Sequence, residues 1–197
     1  MKKLLLFVCT LCWLLPPAQA QTGTYKGIGT IVFEAGAPLS LIKGTSESAN
    51  GLINLETGKF SFDVPITSFQ FLNSLMQERF NDKYMKSSRY HKATFVGRII
   101  DKGPVSAKGE AKVTAAGILT IHGVARKRTI EGTLVQKGNN WQLITAFPVE
   151  LSDHHIQAPR LSSGYGASTM NVSLRMPLSP TDPDPQQIVA VKKFGFR

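Results

Sequence analysis

Four histidines, His91, His122, His154 and His155, are the only imidazoles in the chain, and the His154-His155 pair with Asp153 beside it is where a metal could be held. His122 could join from another strand. Neighbouring residues on an extended strand point to opposite faces, so both rings meet one ion only if the chain turns there. A metal or haem site is therefore the minor reading. For His122 a structural role is preferred: in Ile121-His122-Gly123 the ring would hydrogen-bond across strands, with Gly123 permitting a tight bend or bulge. Ser162-Ser163-Gly164-Tyr165-Gly166 lacks the Gly-x-Ser-x-Gly spacing of a nucleophile elbow and its strand-turn-helix context, which leaves a loop. Glu150 and Asp153 do not read as a glycosidase pair, because nothing in the sequence sets their separation. No catalytic residue, metal site or cofactor is nominated, and the chain is expected not to be an enzyme.

Charge is the next source of chemistry. The formal net charge is +10, and Lys83, Lys86 and Arg89 and then Arg126, Lys127 and Arg128 form its densest groups. Such groups suit a phosphate head group or an anionic membrane surface. The plainer reading, which we prefer, is a solvated strand edge whose cations discourage sheet-to-sheet aggregation. Nucleic acid is not expected as a partner: beyond the net charge there is no recognition helix and no aromatic RNP-type stretch.

These residues must be positioned by an otherwise β-rich chain organised around one helix. In Thr67 to Phe95, Leu72, Leu75, Met76 and Phe80 fall at helical spacing, and Ser74 with Gln77 three residues later has the pattern of a capping box. The spacing predicts a helix over 71–84 with its polar back in water. Before it, Thr24 to Glu34, Leu39 to Ser48, Gly51 to Leu55 and Lys59 to Ile66 read as strands; Thr57-Gly58 is a hairpin signal. After it come Ala93 to Asp101, Val105 to Thr114, Ile118 to Ile121, Val124 to Val135, Trp141 to Leu151 and Thr169 to Leu178. Met170, Val172, Leu174 and Met176 alternate cleanly against Asn171, Ser173 and Arg175. Short antiparallel strands with one helix imply an all-β barrel or sandwich.

The two ends of the sequence read differently. Met1-Lys2-Lys3, the apolar run Leu4 to Leu15 and Ala18-Gln19-Ala20 describe a secretory signal peptide, residues 1–20, cut after Ala20. The two cysteines, Cys9 and Cys12, lie inside it, so the mature chain is expected to hold no disulfide and no cysteine nucleophile. Losing Lys2 and Lys3 takes the charge from +10 to +8. A single domain is expected over residues 21–180. Residues 181–197, in and beyond the run Ser179 to Gln187 rich in proline and acid, read as a tail.

One strand bears on ligand binding. Val105, Ala107, Gly109, Ala111 and Val113 form the apolar face of the strand read from Val105, and that face is small. A barrel of about eight strands either fills its interior with side chains or leaves room for one ligand, and a small inner face favours the second. The alternative is that Phe60, Phe62, Phe95 or Trp141 reaches across and fills the space. The sequence leaves both open.

The stretches FDVPITSFQ with LMQERFNDKYM, YHKATF, GILTIHGVARKRTI and FPVELSDHHI resemble the YceI-like family of exported lipid-binding proteins, over most of the chain from Tyr25 to Leu178. Leu-Thr-Ile-His-Gly-Val at 119 to 124 is the most specific piece. One departure is His91, which follows Tyr90 where the family usually has proline. The resemblance implies an extended eight-stranded antiparallel lipocalin-like barrel, one α-helix covering an end, and a tunnel for a polyisoprenoid or other long-chain lipid. It implies a periplasmic or secreted location and lends no catalytic residues. On that expectation Leu72, Leu75, Met76 and Phe80 are the first candidates for the pocket, and Phe62, Phe95, Ala107, Gly109 and Ala111 the second. The rival reading is a filled barrel acting as a protein-interaction or stress-response module.

Overall fold

The computed structural model describes residues 23–35, 42–157 and 168–181; the segment read as a signal peptide, the Ser162 to Gly166 stretch and all of the tail beyond Thr181 lie outside them. Eight strands close into an antiparallel barrel in chain order: β1 (Thr24–Ala35), β2 (Lys43–Asn54), β3 (Lys59–Pro65), β4 (Lys92–Lys102), β5 (Glu110–Ile121), β6 (Val124–Lys137), β7 (Asn140–Glu150) and β8 (Thr169–Pro180). β8 returns to β1, with Leu174 opposite Ile31 and Val172 opposite Phe33, so the sheet has no free lateral edge at that closure. Each strand alternates, turning one set of side chains inward.

Local chemistry sets the turns. Asn54 Oδ1 accepts from the Thr57 N–H at 2.7 Å and the Glu56 N–H at 3.1 Å, which folds the chain from β2 into β3. His122 and Gly123, with φ of 52° and 73°, form the two-residue turn between β5 and β6, closed by the Ile121–Val124 pair. Positive φ at both positions matches the strand twist. Gly123 is also required sterically, since a Cβ there would lie 2.5 Å from Tyr90 Cε1.

The long connection from β3 to β4 carries the helix, but it is shorter than its spacing suggests. α1 spans Ser74–Arg79, and its N-cap is Asn73, whose Oδ1 accepts from the Met76 N–H at 2.8 Å. Ser74 is the first helical residue rather than the cap. Gln77 donates from Nε2 to the Phe69 carbonyl at 2.8 Å, tying the helix to the preceding 3-10 turn, so the expected capping box does not form. A π-helical turn, Phe80–Tyr84, follows and closes with the Met85 N–H on the Phe80 carbonyl. Among the described residues no helix is long and apolar enough to cross a membrane.

The two ends of the barrel are filled differently. At the end holding the β2–β3, β4–β5 and β6–β7 turns, Phe60, Leu134, Met176 and Leu178 are at most 2% exposed, and Ala111 faces Leu134 across the β5–β6 ladder. That half is solid core. At the other end Phe33, Phe69, Phe71 and Phe80 meet with ring centroids 4.8 to 5.8 Å apart, closing the barrel beneath α1.

Candidate functional site

Between the solid half and the phenylalanine cluster lies a cavity of about 310 Å³. Its origin is visible layer by layer. One step above the Ala111–Leu134 pair, the inward residues around the wall are Val113, Gly132, Thr145, Leu174 and Ile31, each opposite the next. Glycine and threonine in that ring, and Ala115 in the layer above, leave unoccupied the space that leucine fills below. Pocket walls built this way are apolar by construction, because they are the inner faces of alternating strands. The cavity wall includes Phe62, Val113, Ala115, Leu143, Val172 and Leu174, with Arg79 and Asp63 among its few polar members. Asp63 is offset by Lys92, whose Nζ is 3.4 Å from Oδ2.

Such a space solvates hydrocarbon. At roughly 30 Å³ per methylene-sized group, about ten fit. At roughly 0.8 kcal/mol each they supply about 8 kcal/mol, the scale of micromolar binding before ordering costs.

Four of the nominated residues line this cavity: Phe62 on β3, Phe95 on β4, and Met76 and Phe80 from the helical segment. Five do not. Leu72 is 95% and Leu75 52% exposed. Because Asn73 is the cap, Leu72 precedes the helix altogether, and Leu75 lies about 100° around it from Met76. Ala107 and Gly109 belong to the loop between β4 and β5, where the Gly109 N–H donates to the Ser106 carbonyl and Gly109 has a φ of +76°. The strand read from Val105 starts only at Glu110. Ala111 does face inward but packs in the solid half.

The small inner face therefore exists, displaced along β5 to Val113 and Ala115 and matched on β6 by Gly132. Met170, Val172, Leu174 and Met176 all line the cavity; their strict alternation was the signal for it.

His122 and His154 hydrogen-bond across the turns of the helical end. His154 is 2% exposed and donates from Nδ1 to the Val124 carbonyl at 3.0 Å; burial holds its pKa below the usual 6.5, against the opposing pull of that hydrogen bond and of Asp153. His122 donates from Nδ1 to the His154 carbonyl at 3.2 Å, and Tyr90 packs edge-on against its ring. His155 is exposed. Among the described residues no three His, Cys, Asp or Glu side chains come together as a metal site.

Comparison with solved structures places the fold among known barrels. Burkholderia cenocepacia BcnA is 17% identical over 76% of this chain and 95% of that one, with a TM-score of 0.62. A polyisoprenoid binding domain from Saccharophagus degradans, implicated in plant cell wall breakdown, is 11% identical over 82% and 97% respectively, with a TM-score of 0.60. The Campylobacter jejuni YCEI protein is 14% identical over 69% and 81%, with a TM-score of 0.51. A search of curated proteins finds no match. Residues 25–178, from the second residue of β1 to the inward Leu178 of β8, match the YceI-like domain, and the chain belongs to that family.

Proposed function

We propose that this protein is a non-catalytic carrier for a long-chain apolar lipid, isoprenoid-like or fatty-acid-like, held in the cavity. The observation that carries the reading is an apolar space of about 310 Å³ bounded by inward strand faces and by the Phe33, Phe69, Phe71 and Phe80 cluster. Membership of a family that includes lipid-binding barrels supports it, as does the likeness in fold to a polyisoprenoid binding domain. The N-terminal segment read as a signal peptide supports export to the periplasm or beyond. Leu72 and Leu75, exposed on the helical segment that also carries Lys83, support exchange of the lipid at an anionic membrane surface.

Native mass spectrometry before and after organic extraction of the purified protein tests the reading. A bound hydrocarbon-chain species that extraction removes and added long-chain alcohol restores is the expected result. Failure of any long-chain probe to bind the extracted protein would remove the carrier reading and leave the filled-barrel interaction module.

A further inference from the structure

The barrel is not zipped along its whole height. The β6–β7 ladder runs from Lys137–Asn140 only as far as Gly132–Thr145, although β6 stays paired with β5 up to Val124 and β7 with β8 up to Glu150. Pro148 sits in the unpaired part of β7, and its carbonyl faces β6. The backbone N–H and C=O of one strand residue point to the same neighbour, so the N–H that proline lacks is one the β6 ladder would need.

Side chains close this seam instead. Thr145 Oγ1 donates to the Glu131 carbonyl, Arg128 Nη2 to the Pro148 carbonyl at 2.6 Å, and Arg126 Nε to the Asp153 carbonyl at 2.8 Å. The cavity reaches the seam from inside: Glu131, Gly132 and Thr145 line both it and a groove on the outer face.

By strand alternation the two arginines belong to the inward set, but their side chains stand at the rim of the cavity and not in its wall: Arg126 is exposed and Arg128 half-buried. Arg126 lies opposite Leu119 and Arg128 opposite Gly117 on β5, in the same inward set as Ile130, and Leu119 and Ile130 are cavity wall. Neither arginine has an ion pair among the described residues, and Asp153, the acid beside them, offers Arg126 its backbone carbonyl. Each spends one N–H on a carbonyl, leaving both Nη groups of Arg126, and Nε and Nη1 of Arg128, without a hydrogen-bond partner among the described residues. Two cations bonded only to carbonyls, at the rim of a hydrocarbon-sized space, are complementary to an anionic amphiphile.

We propose that the β6–β7 seam is the portal and head-group site of the cavity: Arg126 and Arg128 hold the phosphate or carboxylate of an amphiphile whose chain lies inside. This rests on the carrier reading above. As the head group arrives, its oxygens take over the guanidinium donors that hold the seam, so the same contacts admit the chain and then retain it.

Dodecanol, dodecanoate and dodecyl phosphate share one chain, and their competition against a fluorescent apolar probe on the extracted protein separates the two claims. Dodecanol binding reports the cavity alone; if none of the three binds, the carrier reading fails and this proposal with it. The proposal expects dodecyl phosphate or dodecanoate to bind roughly tenfold or more tightly than dodecanol. Whichever anion is preferred, Arg126→Gln and Arg128→Gln together should abolish the preference while dodecanol affinity stays, and that retained affinity shows the variant is folded. Each single variant should lose part of it. Lys127→Gln, the same charge change on the outward neighbour, should keep it. Equal binding of all three, a preference that survives the double variant, or one abolished by Arg79→Gln alone would overturn the proposal. So would displacement of dodecyl phosphate by inorganic phosphate at equal concentration, which would mean an anion site independent of the cavity.

Discussion

Replacing Ala115 with phenylalanine puts the cavity itself to the test. Ala115 faces inward on β5 opposite Ile130 and lines the empty space rather than the solid half. A dry cavity of about 150 Å³ accepts benzene, so one added ring takes roughly half of the 310 Å³ present. About five of some ten accommodated methylenes are then excluded, about 4 kcal/mol at roughly 0.8 kcal/mol each, or up to a thousandfold in affinity. Sliding of the chain toward the seam offsets part of this, and a loss between about tenfold and a thousandfold is expected. Stability should hold or rise by up to about 2 kcal/mol, as cavity-filling substitutions do. The assay pairs dodecanol titration of the extracted protein with urea unfolding of the same sample. Unchanged affinity would refute the placement of the chain against β5. A fall in stability of several kcal/mol would show that the space is already core.

Phe80→Ala should cost about 3–5 kcal/mol in urea unfolding, because Phe80 contacts all three other rings of the cluster that closes the helical end; a cost below about 1 kcal/mol would mean the cluster is not packed as described. Gly123→Ala forces a left-handed φ of +73° on a side chain that also meets Tyr90, and should destabilise by more than about 1 kcal/mol. His154, buried and held below its ordinary pKa, binds fewer protons folded than unfolded on the acid side of 6.5, so stability is full above that pH and falls as pH drops from about 6.5 toward the lowered folded value. Unfolding at pH 7.5 and 5.0 should show this loss, and His154→Asn, which retains a donor near Nδ1, should remove His154's part of it; an unaltered slope would locate the acid sensitivity elsewhere.

Much of the fold is legible in the residues because strand alternation and turn chemistry are local. Met170 to Met176 announce an inward face, Thr57-Gly58 a hairpin, and Gly123 a tight bend or bulge, which the structure makes a two-residue turn, each within a few positions. Six of the eight strands fall within about three residues of their sequence bounds. The errors have physical causes too. The two strands read from Leu39 to Ser48 and Gly51 to Leu55 are, in their described part, one strand over Lys43–Asn54 with a bulge against β1; Leu39 to Leu41 lie outside the described residues. In the helix, Asn73 caps in place of Ser74 and the first turn begins at Ser74, which leaves Leu72, read as helical from spacing, outside it.

The sequence by itself determined which side of most strands turns inward, that one helix interrupts the strands, and the motifs that carry the family likeness. It did not determine height. A period of two gives Ala107, Gly109, Ala111, Val113 and Ala115 one parity, yet only strand pairing decides that Ala111 faces Leu134 in solid core while Val113 faces Gly132 beside empty space. A cavity is a deficit summed around a ring of residues far apart in the chain, Ile31, Val113, Gly132, Thr145 and Leu174, and no local pattern carries such a sum. The same holds for Arg126 and Arg128: their spacing reads as an ordinary strand edge. Only the loss of β6–β7 pairing around Pro148 leaves them bonded across a seam, to the carbonyls of Pro148 and Asp153.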